Sequence, residues 1–284
     1  MTTENLLLPC DGGDIHVQQD GPRNAPALTL IHGLAGSTHW WDAIVPELAG
    51  TYRVVRIDLL GHGRSAKPEG PGYQLPEHAR RVGAALDRLG VRQTVAIGHS
   101  TGGLVATALT EQRPALVTAL ALVDTGPRLD AFISNGFAGR LVLAPGIGPL
   151  LWRLRTDGLI RKALSTGFSR PGYQVPQQIV DDVRAMTFHG SVATSQGAVD
   201  YLKQRPVPAR LAALGKPLLV LFGEEDHRWR PSSATDYTAV PGATVKLLPG
   251  LGHSPMLEDP QQTLAHLLPF LEPHAPNPKR TPHP

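Results

Sequence analysis

The chain has 284 residues, 41% of them hydrophobic, which is enough for one sizeable core plus an insertion. Its formal charge of +3 comes from residues spread along the chain with no Lys/Arg run longer than two, a pattern that argues against a nucleic-acid partner. No stretch of about 18 apolar residues occurs, so no membrane-spanning helix is expected, and the single cysteine, Cys10, cannot make an internal disulfide and suits a reducing compartment. Residues 1–11 carry an acid and only a three-leucine apolar run, which does not read as a signal peptide; the expected address is the cytoplasm.

Residues 14–19 alternate Ile15 and Val17 with polar neighbours after the Asp11-Gly12-Gly13 turn, the period of a half-buried, early antiparallel strand. Residues 27–32 form a nearly continuous apolar run, the signature of a strand buried on both faces, and end in the His32-Gly33 loop. Trp40 and Trp41 follow; Trp40 is a candidate pocket wall, although a tryptophan pair opening a helix also suits core packing. Residues 53–58 are another buried strand, closed by the glycine-punctuated loop Asp58-Leu59-Leu60-Gly61-His62-Gly63-Arg64-Ser65. Over 77–89, Val82, Ala85, Leu86 and Leu89 share one helical face, which predicts a crossover helix.

Residues 94–106 then join an apolar β-prone run to a helix-prone run across Gly98-His99-Ser100-Thr101-Gly102. A serine in this Gly-x-Ser-x-Gly setting sits on a sharp turn that pushes its hydroxyl clear of the sheet. Gly98 and Gly102 remove side chains that would collide there. Thr101 offers its backbone N–H at a helix start, where unpaired amides and the dipole favour an oxyanion. The helix buries Leu104, Val105, Ala108 and Leu109 until Arg113-Pro114 stops it.

Residues 120–123 are the next central strand, ending at Asp124. From Gly126 glycine and proline recur, and apolar spacings predict helices over about 130–143, 149–166, 176–187 and 192–203. Within this segment Trp152 and Phe188 are candidate pocket residues, and His189 reads as a satisfied or exposed side chain. The core resumes with the strand 218–222 and Gly223-Glu224-Glu225-Asp226. A carboxylate at a strand's carboxyl end can accept a histidine Nδ1–H and stabilise the imidazolium that forms. His99 and Trp229 complete the candidate pocket wall. Arg228 and Arg230 would either reach an anionic substrate group or pair with surface and insertion acids. Residues 244–248 are the last strand, and His253 follows on a glycine-flanked loop. Asp259-Pro260 reads as a helix N-cap and first-turn proline. The closing helix buries Leu264, Leu267, Leu268 and Leu271, with Pro269 a kink or early stop, and residues 274–284 read as a disordered tail.

Ser100, Asp226 and His253 follow one another in the order nucleophile, acid, base. With His32-Gly33-Leu34, the Asp58 loop and Gly252-His253-Ser254-Pro255-Met256-Leu257-Glu258-Asp259-Pro260, the chain resembles the α/β-hydrolase superfamily over nearly its whole length. The resemblance implies a mostly parallel eight-stranded sheet flanked by helices, with residues 1–125 and 207–273 as core and 126–206 as an inserted helical cap. It places the second oxyanion donor on the Leu34 N–H, makes Asp58 a structural brace, and leaves Asp124 as the rival to Asp226, since some members take their acid there. It implies a serine hydrolase without metal or cofactor, acting on a carboxylic ester, lactone or thioester of a small-to-medium, largely apolar small-molecule substrate. A C–C bond hydrolase of vinylogous diketone acids and a ligand receptor retaining the triad are the alternatives; oligomeric state and physiological substrate are left open.

Overall fold

The computed structural model describes residues 3–133 and 146–276. Eight strands form one sheet in the order β1-β2-β4-β3-β5-β6-β7-β8, where β1 is Glu4–Leu8, β2 Ile15–Asp20, β3 Ala27–Ile31, β4 Arg53–Ile57, β5 Thr94–His99, β6 Val117–Val123, β7 Leu218–Gly223 and β8 Thr244–Leu248. β2 runs antiparallel to β1 and β4, and every other pairing is parallel. The largely apolar runs of β3, β5 and β7, and β4 with its two arginines, are buried end to end, because helices cover both faces of a parallel sheet.

Two strands differ from expectation. β1 is not among those the periodicity predicts; it is a five-residue edge strand whose half-buried positions mix Glu4, Leu6 and Leu8, and its pairing to β2 defines it. β2 is buried along its whole length rather than half-buried. Its polar residues find partners inside: His16 with Asp58 at 2.7 Å, Gln18 with Asn5 at 3.1 Å and Asp20 with Arg56 at 2.8 Å.

The crossover helix Leu75–Arg88 buries Leu75, Ala79, Val82 and Leu86, one stripe at helical spacing. The helix Thr101–Gln112 is buried all round from Thr101 to Thr110, since it packs between the sheet and the helices Leu75–Arg88 and Val207–Leu214. Apolar side chains gather on both faces of the sheet, around Leu104, Leu122 and Tyr237 on one and around Trp41, Leu30 and Leu267 on the other.

Between β6 and β7 lie the helices Gly148–Arg153, Asp157–Leu164, Gln177–Ala185, Phe188–Gln204 and Val207–Leu214. The helix expected over 130–143 falls mostly outside the described residues, and Leu129–Ala131 is a single 3-10 turn. The helix expected over 149–166 is two, because the Thr156 hydroxyl accepts the Leu159 N–H at 3.3 Å and starts a new helix. Thr187 does the same for Phe188–Gln204, accepting from Gly190 N at 3.0 Å. The closing helix Pro260–His274 starts at the expected Asp259 cap and continues through Pro269 and Pro273. Burial of Leu264, Leu267 and Leu271 outweighs the roughly 3 kcal/mol that an interior proline costs a helix. That helix occupies the start of the expected tail, and residues 277–284 lie outside the described residues. Among the described residues no helix is long and apolar enough to cross a membrane.

Candidate active site

Strand register decides which loops meet. His99 faces Val123 across β5 and β6, and Val123 faces Leu221 across β6 and β7. Ser100, Asp124 and the turn carrying Asp226 therefore leave three neighbouring strands at their carboxyl ends, where open parallel sheets place ligands. Ser100 holds φ 51° and ψ −119°, a backbone state costing about 1–3 kcal/mol that concentrates at functional sites. Glycines permit the turn. A Cβ on Gly98 would lie 2.5 Å from the Gly102 carbonyl oxygen, and one on Gly102 would lie 2.1 Å from that of Ile31.

His253 reaches Ser100 from the loop after β8, with Nε2 2.9 Å from Ser100 Oγ and Nδ1 2.8 Å from Asp226 Oδ2. The other Asp226 oxygen accepts the backbone N–H of Arg228 at 2.7 Å and of Trp229 at 3.2 Å. Burial pushes the Asp226 carboxyl up, but the His253 charge and hydrogen bond, with the two amide donors, outweigh it and hold it below the usual carboxylate range. An ionised Asp226 fixes the proton on Nδ1 and leaves Nε2 facing Ser100 as an acceptor. His253 and Asp226 are buried while Ser100 is partly open.

Asp124 occupies the same neighbourhood: one donor atom from each of Asp124, Asp226 and His253 lies within 4.8 Å of the others. Its Oδ1 accepts the Gly223 N–H at 2.8 Å, and its buried Oδ2 has no hydrogen-bond partner among the described residues. Burial, and then the neighbouring Asp226 carboxylate, push Asp124 well above the usual range, which favours its neutral form. A metal would have to displace this arrangement, since the carboxylate oxygens of Asp226 meet N–H donors.

The loop after β3 faces Ser100 from the other side. A Cβ on Gly33 would lie 3.0 Å from Ser100 Cβ, and Ala35 turns the chain at φ 63°. Among the described residues neither the Leu34 nor the Thr101 N–H has a protein acceptor. His32 braces this loop, its Nδ1–H donating to the Gly33 carbonyl at 2.8 Å and its Nε2 accepting the Leu59 N–H at 3.0 Å. Burial lowers its affinity for a second proton. Asp58 accepts from Thr38 N at 2.7 Å, Arg64 N at 2.9 Å and His16 Nδ1 at 2.7 Å, tying its own loop to β2 and to the turn at Thr38.

A model of the alpha/beta hydrolase family matches residues 30–267. The chain belongs to that family. It is 28% identical over 269 residues to a non-heme haloperoxidase of Rhodococcus erythropolis, spanning 92% of this chain and 97% of that one. A hydrolase from Pseudomonas aeruginosa PA01 superposes with a TM-score of 0.76 at 27% identity, covering 95% of this chain and 98% of the other. The enol-lactonase from Burkholderia xenovorans LB400 shares the fold at a TM-score of 0.78 and 24% identity, with 94% and 99% covered.

Not every candidate pocket residue of this hydrolase reaches the serine. His99 is buried beneath it, its Nε2–H donating to the His253 carbonyl at 2.7 Å; burial and the neighbouring His253 hold it neutral. Trp40 is buried, stacked on His99 at 5.3 Å and on Phe168 at 6.3 Å. Trp152 and Phe188 meet edge to face at 6.1 Å within the insertion, with the indole N–H on the Met186 carbonyl. Trp229 packs on Phe132 at 5.1 Å and covers Gly126. A 240 Å³ cavity in the insertion, lined by Arg161, Phe168, Arg170 and Tyr173 among others, includes neither Ser100 nor His253 in its wall.

Two polar clusters escape the sequence reading. Glu258 is buried and accepts from Gly252 N at 3.0 Å, Ser169 N at 2.7 Å and Arg170 N at 2.7 Å, clamping the His253 loop to the insertion. Asp182 of the insertion accepts from Ser37 Oγ at 2.5 Å and His39 Nδ1 at 2.8 Å, just beyond the Leu34 loop. Glu258 lies in a motif that drew attention for its histidine; Asp182 is one of two adjacent acids in an amphipathic helix, and nothing local tells it from Asp181.

Proposed function

We propose that this chain is a serine hydrolase cleaving a carboxylic ester, lactone or thioester of a small-to-medium, largely apolar substrate through an acyl-enzyme on Ser100. The observation that carries this reading is the relay from Ser100 Oγ to His253 Nε2 at 2.9 Å and from His253 Nδ1 to Asp226 at 2.8 Å, mounted on a strained turn. His253 takes the serine proton as Oγ bonds to the substrate carbonyl carbon. The free N–H groups of Leu34 and Thr101 receive the oxyanion, each such donor typically being worth about 3 kcal/mol of barrier. His253 then returns the proton to the departing alcohol or thiol, and a water activated by the same nitrogen frees the acid. We read residues 126–206 as the cap over this site and Trp40, His99, Trp152, Phe188 and Trp229 as its wall and support. The family hosts many activities on one fold, so membership does not choose the substrate.

Because Ser100 is the serine on the turn, a fluorophosphonate is expected to label it and to leave Ser100→Ala unlabelled, as read by intact mass and peptide mapping. Labelling at a different serine, or none, removes the hydrolase mechanism proposed above.

A further inference from the structure

Two arginines follow the triad acid, and they differ. The Arg230 guanidinium lies 4.0 Å from the Asp130 carboxylate and donates to the Asp130 carbonyl at 2.5 Å. Arg228 has no such partner. Among the described residues it makes no ion pair, and its side chain has one long hydrogen bond, Nε to Thr166 Oγ1 at 3.4 Å. Residues 1–2, 134–145 and 277–284 contain no Asp or Glu that could serve. Asp226, two residues away, already receives His253 and two backbone N–H groups. A guanidinium cannot shed its charge, so one half withdrawn from water beside a reaction centre calls for an anion.

A second group points the same way. Ser254, next to His253, is fully buried, and among the described residues its Oγ has no hydrogen-bond partner. The two groups border one small space, because a Cβ on Gly167 would lie 3.6 Å from Arg228 Nη2 and 3.6 Å from Ser254 Oγ. A methyl group at 167 would sit in ordinary contact with both groups. We propose that Arg228 and Ser254 form a carboxylate subsite beside the triad, and that the substrate is an ester carrying a free carboxylate away from the scissile bond. The inference rests on the acyl-transfer reading of Ser100. A planar guanidinium with an adjacent hydroxyl suits the two oxygens of a carboxylate.

The test compares kcat/KM for charged and neutral esters of matched size, in two arms. Mono-p-nitrophenyl adipate against p-nitrophenyl hexanoate places the charge on the acyl side; 3-carboxy-4-nitrophenyl hexanoate against p-nitrophenyl hexanoate places it on the leaving group. In one arm Arg228→Gln is expected to lower the charged-to-neutral ratio at least ~10-fold, the scale of one lost charge-assisted hydrogen bond. Ser254→Ala should lower it less, Arg228→Lys should recover part, and Arg230→Gln should leave the ratio as it was. In the unaltered chain the same ratio should fall as ionic strength rises, a measurement that needs no variant to fold. If Arg228 only steadied Asp226, both esters would slow together. A ratio insensitive to Arg228→Gln and to salt in both arms, with Ser100 still labelled by fluorophosphonate, overturns the subsite and leaves the acyl-transfer reading standing. Failure to label Ser100 overturns both.

Discussion

Asp124 and Asp226 stand at the ends of adjacent strands and share one residue type, yet their surroundings drive them apart. Asp226 is surrounded by donors that hold it ionised, whereas Asp124 has one donor, burial and a like charge beside it. Replacing a neutral acid by an amide changes little, while replacing an ionised one removes the charge that orients and stabilises an imidazolium. Asp226→Asn is therefore expected to lower kcat on a model ester by about four orders of magnitude. Asp124→Asn should cost less than about tenfold, or ~1.4 kcal/mol of barrier. Steady-state rates for the two variants decide it, and a larger loss at Asp124 would show the acid to be misassigned.

The loop that carries His253 has little structure of its own; it is positioned by what it is tied to. Glu258 supplies the tie, through Gly252 on the loop and Ser169 and Arg170 on the insertion. A Cβ on Gly252 would lie 2.6 Å from Ser169 Oγ, so the two segments are in direct contact as well. Glu258→Gln turns one accepting oxygen into a donor that faces backbone N–H groups. Leaving buried donors unmet costs about 1–3 kcal/mol. Urea unfolding should register a loss of about 3 kcal/mol, and kcat should fall with it as His253 loses its fixed position. Unchanged stability and rate would mean that the clamp is not what holds the loop.

Across the molecule, burial sets the response to acid. His62, His78 and His99 are buried and neutral: His78 is lowered to about 3 by burial and by Arg81, and burial first, then neighbouring histidines, put His62 and His99 well below 6.5. For a base whose folded value is depressed, the unfolded chain takes up the proton and the folded chain does not. The stability these residues allow is present above about 6.5 and lost as pH falls below it. Asp124 acts in the opposite sense, since the folded chain keeps its proton and the unfolded chain releases it above its ordinary value. Near pH 5 these three histidines, with His32, favour proton uptake on unfolding and Asp124 opposes it, so stability is expected to slope downward as pH falls from neutrality. Denaturant unfolding at successive pH values from neutrality to pH 5 checks this. His78→Leu should flatten the slope and stabilise the chain at neutral pH, because both nitrogens of His78 are buried without partners among the described residues. A slope that does not change in that variant would exclude His78 as a contributor.

Features that depend on a few adjacent residues were legible in the sequence. The buried strands announce themselves by continuous apolar runs, and the serine turn by glycines whose positions no side chain could share. The residues that meet at Ser100 could be proposed because each ends a strand or sits on a glycine-flanked loop, positions that a parallel sheet gathers along one edge. What tertiary structure decided were the pairings between remote segments. Ser100 and His253 are 153 positions apart. Sequence periodicity does not carry the partners that bury His16 and Asp20, or the Thr156 cap that splits an expected helix. Nor does it separate Asp124 from Asp226, or Arg228 from Arg230. In each of these the outcome turns on which charge or N–H group arrives from elsewhere in the chain. Desolvation makes that decisive, because a buried polar group is stable only where a partner meets it.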